Sequence, residues 1–343
     1  MRTALVSTHV RTAVTPPADG HRPALRVALG LAVPGLGLLG AGHPALIVYA
    51  VFGAITGMYG RDTSAGRRVV QQSQAAVMLV TGVGIGAVLS QARAAPVVLV
   101  SVAVAYAMLW SVLADLLALT PQGPFYGIFA LGAVATVPPS CASPTQAVVI
   151  CAATSLLCIA LGAIDAPRSG AAIRGRTPIS LQKSIGTHSA RYGLAVALAG
   201  TIGVLLGVDH ANWAMAAAAG PLAAADTRAR VGRGLHRVIG TAIGLVVAAM
   251  LLMPQPGECV LAIAVMVLLF PTELFMSHNH AVALGFFTPL IMVMAALSVP
   301  TEPRDLLIAR GIDTVIGVAA ALVIVVLVRG GRTKGEPAGP NGE

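Results

Sequence analysis

The sequence predicts an all-α polytopic membrane protein of about twelve transmembrane helices, arranged as two six-helix repeats in the same orientation. Composition is the first observation behind this. Of the 343 residues, 56% are hydrophobic and only 10% charged, more apolar surface than a water-soluble core needs. The second is internal repetition. Gly35 and Gly42 return as Gly200 and Gly207, and Asp62-Thr63 returns as Asp226-Thr227. At one constant offset, Gly82, Gly86, Asp115, Gly127 and Phe129 return as Gly240, Gly244, Glu273, Gly285 and Phe287. Glycine matches alone would be weak in so glycine-rich a chain, but acids and an aromatic fall in the same register. The third is charge sorting. With the N-terminus in the cytoplasm, every Lys and Arg except Arg93, Arg304 and Arg310 falls on the cytoplasmic side, as the positive-inside rule requires.

The elements follow in order. Helix one (25–41) is the apolar run after Arg22 and Arg26. It resembles the core of a signal peptide, but its counterpart Tyr192–Leu206 is internal, so it reads as a retained span. Helix two (44–60) starts at the Gly42-His43-Pro44 turn and carries Gly53 and Gly57. Helix three (72–90) stops before Arg93, and helix four (94–114) is apolar up to Asp115. Helix five (124–138) ends at Pro138-Pro139-Ser140, and helix six (145–164) closes the first unit. The polar, basic stretch 165–188 reads as a cytoplasmic linker. Helix seven (190–207) opens the second unit, and helix eight (211–225) is short and broken by Gly220-Pro221. Helix nine (235–253) follows an arginine-rich stretch and ends at Pro254-Gln255-Pro256-Gly257. Helices ten (258–275), eleven (279–298) and twelve (304–328) complete the set, the last two separated by Pro300-Thr301-Glu302-Pro303. The expected organisation is a disordered tail (1–22), a first membrane repeat (23–164), the linker, a second membrane repeat (189–329) and a disordered tail (330–343). The bias to Ala, Gly, Val and Arg points to a GC-rich bacterial genome, hence a bacterial plasma membrane with both termini cytoplasmic.

Several function classes are disfavoured. Lys183-Ser184 lacks the upstream glycines of a phosphate-binding loop. The four cysteines form no CxxC or Cys/His cluster, so neither a metal site nor a cofactor is expected. No nucleophile–base set appears, so the chain does not read as an enzyme. The basic stretches lack the interleaved aromatics of a nucleic-acid surface.

Four constellations could carry a function. Arg230, Arg233 and Arg237 share one face of a helix, followed by the small residues Gly240, Thr241 and Gly244. They read as a cationic mouth that recruits anions, or as topology anchors against anionic lipid. Arg310 and Asp313 lie inside the last helix at a spacing that lets them pair. Intramembrane ions mark function by default, although a structural ion pair explains them too. Asp115 and Glu273 end the fourth helix of each repeat and serve either as proton-coupling acids or as helix-end salt bridges. Near Glu273 stand His278 and His280, whose imidazoles suit a proton relay. Asn212 and Trp213 sit at the outer end of the broken helix eight, beside Asp209-His210. Phe287 and Thr288-Pro289 offer an aromatic, a hydroxyl and a kink in helix eleven. Short, Gly/Pro-interrupted helices at matching places point to a transporter's path, although belt and core packing explain the same residues.

On these residues the chain resembles the fusaric acid resistance and aromatic acid exporter family. The resemblance is carried by Asn212-Trp213-Ala214, by Arg237-Val-Ile-Gly240-Thr241-Ala-Ile-Gly244, by Phe287-Thr288, and by Arg310-Gly-Ile-Asp313-Thr314-Val-Ile-Gly317. It implies an inner-membrane efflux protein for aromatic or other organic acids, driven by the proton gradient. On the residues themselves, Arg310 reads as substrate or counter-charge partner and Asp313 as the proton-linked acid. A periplasmic adaptor or a second copy of the chain stands as further partner. Plant malate channels look like distant relatives, so a passive anion channel remains open, as does a non-transporting scaffold. Two features depart from the family pattern: the short linker, and the alanine-rich stretch 216–220 where relatives are more polar.

Overall fold

The computed structural model describes residues 20–164, 181–207, 211–224, 226–299 and 301–328. Residues 1–19, the C-terminal tail, most of the expected linker and Asp209-His210 lie outside them, whereas His21 and Arg22 of the expected N-terminal tail are helical. The described residues contain helices and no strand: α1 His21–Gly40, α2 Ile47–Ile55, α3 Ala65–Gln91, α4 Pro96–Leu116, α5 Phe125–Ala135, α6 Pro144–Ile164, α7 Leu181–Leu205, α8 Ala211–Leu222, α9 Thr227–Leu252, α10 Glu258–Met276, α11 His280–Ser298 and α12 Pro303–Leu327. Short 3-10 turns, Pro44–Leu46 and Thr56–Met58, extend α2 at both ends. Eight of these helices (α1, α3, α4, α6 and α9 to α12) are long and apolar enough to cross a membrane. The chain is a multi-pass membrane protein.

The helices sort into a shell and a core. Leu25, Leu29, Val33 and Leu36 form an exposed apolar stripe on α1, and Leu235, Ile239, Ile243 and Met250 do the same on α9. Spacings of three and four put each stripe on one face, which lipid would cover. By contrast α2, α5 and α8 are almost wholly buried, as is most of α11. Three of these four core helices, α2, α5 and α8, are also short. The packing partners recur six helices apart: α3 lies on α5 and α6 as α9 lies on α11 and α12, and α2 lies on α6 as α8 lies on α12. The halves also exchange contacts, α1 with α10 and α4 with α7.

Several helices begin earlier than the sequence pattern places them. The backbone N–H of Ala229 donates to the Asp226 carboxylate (2.8 Å), and this N-cap starts α9 two turns upstream. Arg230 and Arg233 are therefore helical. Likewise α3 starts after Ser64 and takes in Arg67 and Arg68. Helix α7 begins at Leu181, so the last residues of the expected linker are helical. Helix α8 runs through Gly220-Pro221 and ends at Leu222; the break is a terminus, not a mid-span kink.

Small residues set the closest approaches. A Cβ on Gly317 would run into the Ala214 carbonyl of α8, and one on Gly53 would meet the Cys151 carbonyl of α6 at 2.5 Å. The buried faces of α6 and α12 match position for position: Ala147 with Leu306, Cys151 with Arg310, Thr154 with Asp313, Ser155 with Thr314, Cys158 with Gly317.

Candidate functional site

A cavity of about 1430 Å³ opens at one end of the bundle, between elements of both halves. Its rim carries Arg61, Arg67 and Arg233, with His236 and His278. Its floor is aromatic: Phe125, Tyr126 and Phe287. Arg237 joins the floor, with its guanidinium 4.7 Å from the centre of the Phe125 ring. That guanidinium reaches the floor because α8 offers no side chain there; a Cβ on Gly220 would lie 2.7 Å from Nη1. Arg237 is 2% exposed, and its Nε and Nη2 make no hydrogen bond among the described residues. Glu273 is the cavity's buried acid. Arg61 Nη1 donates to its carboxylate at 3.4 Å and to its backbone oxygen at 3.0 Å, tying the first half to the second.

A second cavity, about 30 Å³ and room for a water or two, lies towards the opposite end. Trp213, Thr136, Ile291 and Ser298 line it. Three phenylalanines separate the two spaces. Phe129 stands 5.3 Å from Phe52 and 5.9 Å from Phe287, centre to centre, in edge-to-face contacts. Along α11 the wall of one cavity ends at Phe287 and the other begins at Ile291, roughly 6 Å further at helical rise. Along α5 the step runs from Tyr126 to Ala133, roughly 10 Å, so the barrier is one to two helical turns thick on these helices.

The remaining sequence candidates fall into two groups. Arg233, Arg237, Glu273 and Phe287 meet at the large cavity, and Trp213 lines the small one. Arg230 lines neither; its Nε donates to the Ala224 carbonyl (3.0 Å) beyond the end of α8. Asp115 also lies off the cavity. His188 Nδ1 stands 2.7 Å from its carboxylate, and His188 Nε2 stands 3.3 Å from the Leu222 carbonyl. The two repeated acids thus each bind a partner from the other half.

Arg310 and Asp313 are buried at 1% and 0% exposure and line neither cavity. The Arg310 guanidinium lies 5.4 Å from the centre of the Trp213 ring. Both Asp313 oxygens, Arg310 Nε and Nη1, both Asn212 amide atoms, and the hydroxyls of Thr241 and Thr288 lack hydrogen bonds among the described residues. An unmet buried polar group costs about 1–3 kcal/mol, more when charged, so such a set is not left in a core without use.

With this geometry in view, comparison with family models matches residues 197–324 to the fusaric acid resistance protein-like family. Over that stretch the second half is similar to a fusaric acid resistance protein-like unit. Searches of curated proteins and of solved structures each found no match. The matched fusaric acid resistance protein-like region holds Arg233, Arg237, Glu273, Phe287, Arg310 and Asp313; Arg61, Phe52, Phe125 and Phe129 come from outside it. The sequence reading named none of those four as site residues. One signal was available: the repeat register already pairs Phe129 with Phe287.

Proposed function

We propose that this protein is a bacterial plasma-membrane secondary transporter that exports aromatic or other amphipathic organic acids in exchange for protons. The observation that carries the reading is the large cavity with a cationic rim, an aromatic floor and a closed aromatic layer beyond it. The positive-inside rule assigns the large cavity to the cytoplasm and, with it, both termini. Two six-helix repeats related by an axis along the membrane normal would place this cavity between them.

The chemistry follows from the residues. Rim arginines raise the local concentration of organic anions. The unpartnered Nε and Nη2 of Arg237 offer a fork that fits a carboxylate. Phe125, Tyr126 and Phe287 supply flat apolar surface for the rest of the molecule. Arg237 therefore takes the substrate-binding role that the sequence suggested for Arg310, and Asp313 keeps the proton-linked role. Passage outward needs the phenylalanine layer to part, and the Arg61–Glu273 link between halves is placed to resist that movement.

The test is uptake of labelled aromatic acids into inside-out vesicles under an imposed pH gradient. Uptake that rises with the gradient supports exchange, and uptake indifferent to it removes proton coupling. A passive anion channel is the second reading, favoured by a barrier of one to two helical turns. It requires currents across planar bilayers far above a transporter's throughput.

A further inference from the structure

The aromatic layer blocks the direct line between the two cavities, yet a chain of buried polar groups runs beside it inside the second half. Arg237 starts this chain at the floor of the large cavity. Thr241 lies one turn further along the same buried face of α9. Thr288 of α11 sits over Gly244, one further turn on, where a Cβ would lie 2.6 Å from its own. Arg310 and Asp313 lie on the buried face of α12, which packs on both α8 and α9. Asn212 and Trp213 continue it on α8, and Trp213 lines the small cavity. Each of these residues except Trp213 holds at least one buried polar atom without a hydrogen bond among the described residues.

The first half has no equivalent chain. On the matching buried face of α3, Leu79 and Val83 stand where α9 has Arg237 and Thr241. Val134 sits over Gly86 as Thr288 sits over Gly244. Cys151 and Thr154 take the positions of Arg310 and Asp313. The first half keeps other buried polar atoms without hydrogen bonds among the described residues, on Tyr59, Gln72, Gln74 and Thr154, but none at the positions of Arg237, Thr241, Thr288 and Arg310.

We propose that this seam holds a file of internal waters through which Asp313 exchanges protons with the large cavity while the aromatic layer stays shut. Proton and organic anion then use separate routes, the anion between the halves and the proton within the second. This deepens the proton-exchange reading above and rests on it only for the seam's purpose. Asp313 is the one carboxylate on the seam. The helices packed on α12 are α7, α8 and α9, with α11 touching it over a short stretch. Among described side chains, α9 carries Arg228, Arg230, Arg233, His236 and Arg237, α7 carries His188, Arg191 and Tyr192, α11 carries His280, and α8 carries none that titrates. Helix α12 itself adds Arg304, Asp305 and Arg310.

Infrared difference spectroscopy on the protein in lipid, without substrate, tests the seam. The carboxyl band lost in Asp313→Asn identifies the group. In the wild-type protein that band is expected to respond to bulk pH and to shift within minutes of transfer to D₂O. Replacing both hydroxyls (Thr241→Val with Thr288→Val) removes two water contacts and is expected to slow exchange by about tenfold or more. An Asp313 band insensitive to pH and D₂O, or exchange at the wild-type rate in the double-valine protein, overturns the seam. Vesicle uptake indifferent to the pH gradient, with the infrared exchange intact, would instead remove proton-coupled export and leave the seam standing.

Discussion

Arg237 shows how one side chain acquires a role from its neighbours. A guanidinium at the floor of a cationic cavity, packed on Phe125 and facing Gly220, is held in place while two of its nitrogens stay without protein partners. Truncation to alanine is expected to weaken substrate binding by on the order of tenfold to a hundredfold, the range for a lost charge-assisted hydrogen bond. Lysine should restore only part of it, because an ammonium lacks the planar fork. The measurement is the KM for uptake into inside-out vesicles; equal KM values in wild type and Arg237→Ala would place the carboxylate elsewhere. Gly317 gives a second residue-level expectation. Its missing Cβ lets α12 lie on the Ala214 carbonyl, so Gly317→Ala should destabilise the protein by about 1–3 kcal/mol through overpacking. Gly66 has open space around its missing Cβ, and Gly66→Ala should melt at or above the wild-type temperature in the same detergent.

Among elements, the short core helices carry the barrier. Phe52 of α2, Phe129 of α5 and Phe287 of α11 close one to two turns of depth, while α8 contributes alanines at that level. Phe129 touches both other rings, so Phe129→Ala should open the layer. The expected result is a substrate leak down its concentration gradient with no pH gradient applied, several-fold above wild type. Phe125→Ala, on the cavity side, should weaken binding without the leak. The helix pattern in the sequence located α5 and α11 but not their relative depth. Gly86 of α3 meets Leu131 and Val134, whereas Gly244 of α9 meets Gly285 and Thr288. The repeat register, which pairs Gly127 with Gly285, is thus one turn away from the packing register. No periodicity reveals such a slide, because a four-residue shift keeps the same helix face turned inward.

The whole molecule depends on contacts between its halves. Helix α1 packs on α10 and α4 on α7, and the buried acids reach across, Glu273 to Arg61 and Asp115 to His188. Each half therefore leaves apolar surface and acids without partners when alone. Expressed separately, the two halves should be degraded or aggregate. Expressed together, split within 165–180, they should co-purify. A stable, monodisperse second half on its own would show that the exchanged contacts matter less than their extent suggests. Glu273→Gln weakens one of the two links and should favour separation of the halves, read as faster labelling of cysteines placed around the large cavity.

Composition and charge sorting were sufficient for the membrane class, because the bilayer imposes length, apolarity and the side on which arginines gather. Motif spacing also put Arg230, Arg233 and Arg237 on one helix face, since three- and four-residue intervals have one meaning in a helix, but it did not show that Arg237 is buried while Arg233 stays exposed. What those faces meet was not in the spacing. The buried faces pair Arg310 with Cys151 of the first half, a residue that shares none of its chemistry. Nor did the sequence separate Arg237, at a cavity floor, from Arg310, sealed beside Trp213. Both belong to an Arg-x-x-[Gly/Asp]-Thr-x-x-Gly pattern, and only the neighbouring helix differs. By itself the sequence determined which residues leave the lipid, a property of each helix alone. The tertiary structure decided which of them share a cavity, because that depends on the depth at which helices far apart in the chain come to rest against one another.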